Sequence, residues 1–283
     1  MQAFYDLALY FFMFGFCGWA CECIYCSLDQ KKLVNRGFLN GPICPVYSFG
    51  GLLVVYVLEP VQDNIVLLFL LGMVSTTALE YLTSLTLEKL FKTSWWDYSN
   101  FPLNIGGRVC LLFSLIFGAL SVVAVRLLYP PFAAMVGRVP AQVKPWLVWG
   151  LLAVFVADCV ATVQAILTLN GKLAELRRIT QELRQRLEAL PEEKASFAER
   201  LEQLRSKRGA SNKMLDSLVE RFDTYRENFM KRYQHRRLID AFPNMRSIRY
   251  QEQFSEVKAA FATFREKRLQ KGKKKKGKRV DKR

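Results

Sequence analysis

Three carboxylic acids, Glu22, Glu80 and Asp158, interrupt stretches of sequence that are otherwise almost wholly apolar. A charged carboxylate at the centre of a bilayer costs roughly 2.5–3.5 kcal/mol on insertion scales, so such residues face protein or water and mark ion paths, substrate pockets or buried pairs. Glu80 belongs to a ridge, Thr76, Glu80, Ser84 and Glu88, whose four-residue steps place it on one helix face. The chemistry these four acids suggest is a proton- or cation-coupled site, or a polar pocket for a substrate headgroup. The structural alternative is an interhelical hydrogen bond or a buried pair with Arg108, and the residues weigh the two equally.

A second set of polar residues lies in two runs, Asn35-Arg-Gly-Phe-Leu-Asn-Gly-Pro42 and Thr93-Ser-Trp-Trp-Asp-Tyr-Ser-Asn-Phe-Pro-Leu-Asn-Ile-Gly-Gly-Arg108. If both emerge on one membrane face, Asn40, Asp97, Asn104 and Arg108 line a common cytosolic mouth. Trp95, Trp96 and Tyr98 fit an interfacial aromatic belt. Metal, cofactor and triad chemistry find no support. The single histidine, His235, lies in a basic run and reads as a solvated surface residue. Cys17, Cys21, Cys23 and Cys26 do not share one helix face, and read as small packing residues beside Gly15 and Gly18. Seven cysteines in apolar surroundings are not a secreted disulfide framework.

The elements that must position these side chains are membrane spans. Five stretches, near residues 7–28, 41–58, 65–87, 109–128 and 146–169, approach the roughly 20 apolar residues that a hydrocarbon core requires. The second is the weakest. It opens on Gly41-Pro-Ile-Cys-Pro45 and contains Gly50-Gly51, so its first turns are expected to be irregular. The first lacks a basic lead and a small-residue cleavage site, and is expected to be a retained span. Basic residues fall in the first loop (Lys31, Lys32, Arg36), the third (Lys89, Lys92, Arg108) and the C-terminal part, which predicts an external N-terminus and a cytoplasmic C-terminus; Arg138 and Lys144 in the fourth connection dissent.

Several ordered blocks resemble a known bacterial family. Gly37-Phe-Leu-Asn-Gly-Pro-Ile-Cys-Pro-Val-Tyr47, Leu79-Glu-Tyr-Leu-Thr-Ser84, Trp95-Trp-Asp-Tyr-Ser99 and Asn104-Ile-Gly-Gly-Arg-Val-Cys110 resemble the membrane proteins labelled ABC-transporter permease, CmpB type, over roughly residues 1–170. Ala241-Phe-Pro-Asn-Met-Arg-Ser247 is similar to a segment that follows the membrane region there. The resemblance implies a polytopic protein of a bacterial plasma membrane and a transport role served by a separate ATPase subunit. The chain itself carries no GxxxxGK[ST]: Gly171-Lys172, Gly272-Lys273 and Gly277-Lys278 are not followed by Ser or Thr. No importer-type Glu-Ala-Ala coupling loop is identifiable either.

The remaining sequence is chemically different. Residues 1–170 balance nine basic against nine acidic side chains, so the formal charge of +16 resides wholly in residues 171–283. Leu173, Leu176, Thr180, Leu183, Leu187 and Leu190 follow a coiled-coil seam, continued by Phe197, Leu201 and Leu204 beyond Pro191. Further amphipathic helices are predicted through Leu215, Leu218, Phe222, Tyr225, Phe229 and Tyr233, and through Phe254, Val257, Phe261 and Phe264. Intrachain packing is slightly favoured, with a homo-oligomer left open. Residues 271–283 hold nine Lys/Arg and one acid, a self-repelling tail suited to anionic lipid and without a motif for specific nucleic acid.

The expected architecture is therefore all-α. A polytopic membrane domain (1–170) precedes a cytosolic helical domain with coiled-coil character (171–270) and a polybasic tail (271–283). The leading function is a permease-like component with a polar path through Glu22, Glu80, Glu88 and Asp158. One rival is an enzyme acting on a lipid-linked substrate, with Glu80 or Asp97 as acid/base and Arg108 on a phosphate. The other is a scaffold recruiting partners through its helices.

Overall fold

A computed structural model describes residues 1–188, 199, 201–202, 213–231, 233–259 and 261. The chain divides into two compact units. One comprises Met1–Ala165 with Asp240–Arg246, the other Ile166–Ile239 with Ser247–Arg283.

In the first unit α1 (Gln2–Gln30), α3 (Ile65–Phe91), α4 (Leu111–Val123) and the start of α6 (Lys144–Glu188) are long, apolar helices. Four helical stretches, Gln2–Leu28, Ile65–Phe91, Leu111–Arg138 and Lys144–Leu187, have the length and composition to cross a membrane. The third is continuous because α4 passes through a π-turn, Ala124–Leu128, into α5 (Tyr129–Arg138). Pro130 and Pro131, at the head of α5, supply no N–H to the preceding turn, and the ladder shifts register there. Asn64 caps α3 by accepting from the Leu67 amide at 3.0 Å.

The stretch expected as the weakest span is mostly a short helix, with the irregular entry its sequence predicts. It forms α2 (Pro45–Leu52) and a π-turn, Leu53–Val57. At 1.5 Å per residue this reaches only about 20 Å of the roughly 30 Å hydrocarbon thickness. Pro42 and Pro45 explain the late start, since proline suits only the first helical position, where Pro45 stands. The chain before α2 is non-helical yet already lies inside the bundle, for the Cys44 amide donates to the Gly15 carbonyl at 3.0 Å, halfway along α1. A Cβ on Gly15 would lie 2.2 Å from Ser48 Oγ, on Gly18 2.2 Å from Tyr47 Cγ, and on Gly51 2.3 Å from Phe14 Cγ. Glycine thus permits α1 and α2 to touch backbone to side chain.

The two ends of this unit are chemically distinct. At the end where α1 begins, Asp6 pairs with Lys144 at 2.6 Å. There too, the Tyr10 ring centroid lies 5.4 Å from that of Tyr129 and 6.4 Å from that of Tyr56. At the other end α1 and α3 each stop on a lysine with positive φ, Lys31 and Lys92, both at 50°. Phe38 of the first loop meets Phe91, the last residue of α3, and Trp95 of the α3–α4 connection there. The chain thus crosses five times between the ends, four times as long helix and once as extended chain plus a short helix.

The second unit is built on an amphipathic stripe. Leu173, Leu176, Ile179, Leu183 and Leu187 of α6 are buried. So are Leu218, Val219 and Phe222 of α7 (Lys213–Lys231), Leu238 and Ile239 of α8 (Tyr233–Ala241), and Phe254 and Val257. Thr180, the polar position of the seam, donates back to the Leu176 carbonyl at 2.8 Å. The leucine seam is therefore covered within one chain. His235, expected at the surface, is buried: with Leu238 and Ile239 it forms an i, i+3, i+4 stripe on the inward face of α8. Leu190, Pro191, Phe197, Leu204, Phe264 and the tail 271–283 lie outside the described residues, as do the side chains of Leu215, Phe229 and Tyr233.

Candidate functional site

The connection between α3 and α4 is a folded structure. Two short strands, β1 (Thr93–Ser94) and β2 (Asn104–Ile105), precede β3 (Val109–Cys110), and β2 pairs antiparallel with β3, Asn104 opposite Cys110. Gly106 and Gly107 turn the chain at φ of 59° and 69°, where L side chains are strained. Asn104 holds the turn: its amide donates to the Phe101 carbonyl at 2.9 Å, and its carbonyl accepts from the Gly107 N–H at 3.1 Å. Trp96 closes the loop by donating to the Arg108 carbonyl at 2.8 Å.

The effect is to lay Tyr98 over α3. Its ring stacks on Phe113 at 4.6 Å, and its hydroxyl donates to Glu80 Oε1 at 3.2 Å. Glu80 is only 7% exposed, and its other oxygen, Oε2, has no hydrogen-bond partner. Glu22 lies close by on α1. It accepts from the Tyr47 hydroxyl at 2.7 Å and stands 3.6 Å from Arg36 Nε. Burial first, and then the carboxylates of Glu80 and Glu22, push the Tyr98 phenol well above its ordinary range, so it remains a protonated donor. Glu22, Arg36, Tyr47, Glu80 and Tyr98 form one polar cluster near the loop end of the bundle.

The other expected residues go elsewhere. Asp158 is enclosed by the first loop: its carboxylate accepts from the Asn40 amide (3.1 Å), the Asn40 side chain (2.8 Å) and the Gly41 amide (2.7 Å). Thr162 accepts from the same Asn40 side chain at 3.2 Å. Glu88 pairs with Arg108, whose guanidinium also lies 5.7 Å from the Tyr81 ring centroid. The pairing foreseen for Arg108 thus falls on Glu88, one ridge position beyond Ser84 from Glu80. Asp97 accepts from Ser99 and meets Arg246 at 3.1 Å; the Ser99 hydroxyl, above all, holds its carboxyl below the usual range. Asp97 and Asn104 thus meet through Ser99 and Gly107 of the α3–α4 connection, whereas Asn40 is bound to Asp158 and Arg108 to Glu88, so the four do not converge on one point.

Sequence reasoning missed Arg36, Tyr47 and Tyr98 as partners of the acids. Arg36 was legible only as a loop charge and Tyr98 only as a belt aromatic, because their pairing depends on loop geometry that periodicity does not encode. Arg36 is further seated by its own amide, which donates to Cys23 Sγ at 3.3 Å. Among the described residues, no three or more His, Cys, Asp or Glu side chains are grouped to hold a metal ion.

Neither the comparison with curated proteins nor that with solved structures returned a match. The glycine-lined α1–α2 contact, the acid-bearing cluster and most of the apolar part of the span-forming helices fall within one matched region. On a family model that covers residues 9–163, more than half of its length, the chain belongs to the family described as putative ABC-transporter type IV.

Proposed function

We propose that this multi-pass membrane protein is a permease-like component whose Glu22–Glu80 cluster forms the polar path for a proton or small cation. The observation that carries the reading is the Oε2 atom of Glu80, an acceptor buried between helices without a donor. A buried carboxyl oxygen without a partner is costly, and intramembrane acids of this kind mark ion paths. The interrupted α2 crossing supports the same reading, since irregular backbone at membrane depth accompanies transport sites. Energy would come from a separate ATPase, because the chain has no P-loop.

Lys31, Lys32, Arg36, Lys89, Lys92 and Arg108 all belong to the loop end, which we assign to the cytoplasm of a bacterial cell, with the N-terminus outside. The polybasic residues 271–283 would then meet anionic lipid on that side. The lipid-linked enzyme has less support, because the Arg108 it would use on a phosphate is paired with Glu88.

The test is ion flux through vesicles containing the purified full chain, driven by an imposed diffusion potential and read by a trapped pH- or cation-sensitive dye. Wild type should exceed empty vesicles, and Glu80→Gln should lose at least about nine-tenths of the excess, as expected for loss of an essential ionisable group. Wild-type flux equal to that of empty vesicles, or undiminished flux in Glu80→Gln, would refute the reading.

A further inference from the structure

The geometry points to residues 240–246 as a latch that closes the loop end of the membrane unit and fixes the arginine guarding Glu22. This short segment packs with the first unit, although the chain on both sides of it, up to Ile239 and from Ser247, belongs to the second. Four side chains of the membrane unit hold it. Lys32 Nζ lies 3.1 Å from Asp240 Oδ1. Arg36 Nη1 donates to the Ala241 carbonyl, and its guanidinium carbon lies 5.0 Å from the Phe242 ring centroid. Trp95 meets Phe242 edge-on at 5.2 Å. Asp97 takes Arg246 at 3.1 Å.

Arg36 is the point of connection. One guanidinium faces both ways: Nε toward the Glu22 carboxylate at 3.6 Å, Nη1 and the guanidinium plane toward Ala241 and Phe242. Docked, the segment orients the cation that neutralises Glu22 and buries Phe242 and Met245. Undocked, Arg36 loses a hydrogen bond and an aromatic face together, and its backbone seat on Cys23 loosens. The three ionic or hydrogen-bonded side-chain holds are partly exposed and individually worth little, the aromatic contacts are buried, and a short pairing of Thr93–Ser94 with the strand that begins at Arg246 adds to them. The latch is thus a contact by which residues 240–246 set the orientation of Arg36 beside Glu22. It stands on these contacts alone and does not depend on what crosses the membrane.

The experiment measures the rate at which a water-soluble maleimide modifies Cys23 in the intact, detergent-solubilised chain, with the site resolved by peptide mass spectrometry. Phe242→Ala should raise that rate about tenfold, corresponding to roughly 1.4 kcal/mol of lost aromatic and cation–π contact. Arg246→Glu, which leaves the buried residues untouched, should raise it about three- to fivefold, as an exposed pair turned repulsive would. The exchange Asp97→Arg with Arg246→Asp should restore it to within about twofold of wild type, because the pair is re-formed in reverse. Wild-type rates in both single variants would overturn the latch. So would failure of the exchange to recover protection in a chain that remains monodisperse.

Discussion

Asp158 and Glu80 are both acids in the interior of long apolar helices, and the molecule treats them in opposite ways. Asp158 is met by a loop whose two amides and one side-chain amide all donate to it. Glu80 receives a single phenolic hydrogen bond and keeps one oxygen bare. A carboxylate supplied with several N–H donors is a structural joint; it tethers Asn40 and Gly41, and so fixes where the half-extended crossing enters the bundle. A carboxyl left partly unsatisfied costs stability and persists only where something other than stability retains it. Helix position alone therefore does not separate joint from site; the donor count does.

The strongest way to break this contrast is Asp158→Ala. The substitution leaves the half-buried Asn40 and Gly41 amides and the Asn40 side chain without their charged acceptor, and should cost about 3–5 kcal/mol, since a hydrogen bond to a charged group is worth roughly 1.5–3 kcal/mol. Thermal unfolding in detergent measures it. A loss below about 1 kcal/mol would place Asp158 beside Glu80 rather than opposite it.

Next in size is Gly18→Ala. A new Cβ 2.2 Å from Tyr47 Cγ forces that ring away, and with it the 2.7 Å hydrogen bond to Glu22. Overpacking of this kind costs about 1–3 kcal/mol. The same substitution at Gly150, where a Cβ meets nothing within 4 Å, should be nearly silent in the same assay.

How much of this was legible in the sequence follows the same division. Hydropathy located the long helices, because about 20 apolar residues have few other uses. The Gly41–Pro45 run announced irregular entry to α2, since proline and glycine act locally. The i, i+4 ridge of α3 put Glu80, Ser84 and Glu88 on one face, and Glu80 and Ser84 are buried. What could not be read was which polar groups meet. Asn40 to Asp158 spans 118 positions and Arg36 to Ala241 spans 205, contacts set by how loops fold back. Nor did periodicity distinguish a leucine seam that pairs chains from one covered by its own chain's helices, because both bury the same stripe.

A smaller effect is expected from Tyr98→Phe. Stacking on Phe113 survives, and only the 3.2 Å hydrogen bond to Glu80 is lost, which is worth about 1 kcal/mol at neutral pH. The pH dependence has a definite sign. Burial and the neighbouring carboxylates raise the folded-state phenol above the ordinary tyrosine value of about 10. Its contribution is therefore complete below that value and is lost as pH climbs beyond it toward the folded-state value. Wild type should lose stability more steeply than Tyr98→Phe above about pH 10. Parallel curves would mean that the phenol is not shielded as the structure has it.

Among the polar substitutions, the smallest stability change belongs to the residue with the largest proposed role. Glu80→Gln keeps the acceptor for Tyr98 and replaces a bare carboxyl oxygen with an amide of the same shape, so no cavity opens and no ion pair is broken. Stability should stay within about 1 kcal/mol of wild type, or rise slightly as the burden of desolvation falls. Asp158→Asn, the same chemical change, instead turns an acceptor into a donor facing the Asn40 or Gly41 N–H, and should cost about 1–3 kcal/mol. Measured side by side by thermal unfolding, the two amide substitutions isolate the number of donors around each acid from everything else that distinguishes the helices. If Glu80→Gln were the more damaging of the pair, Glu80 would be a structural joint, and the path through the bundle would have to be sought at other residues.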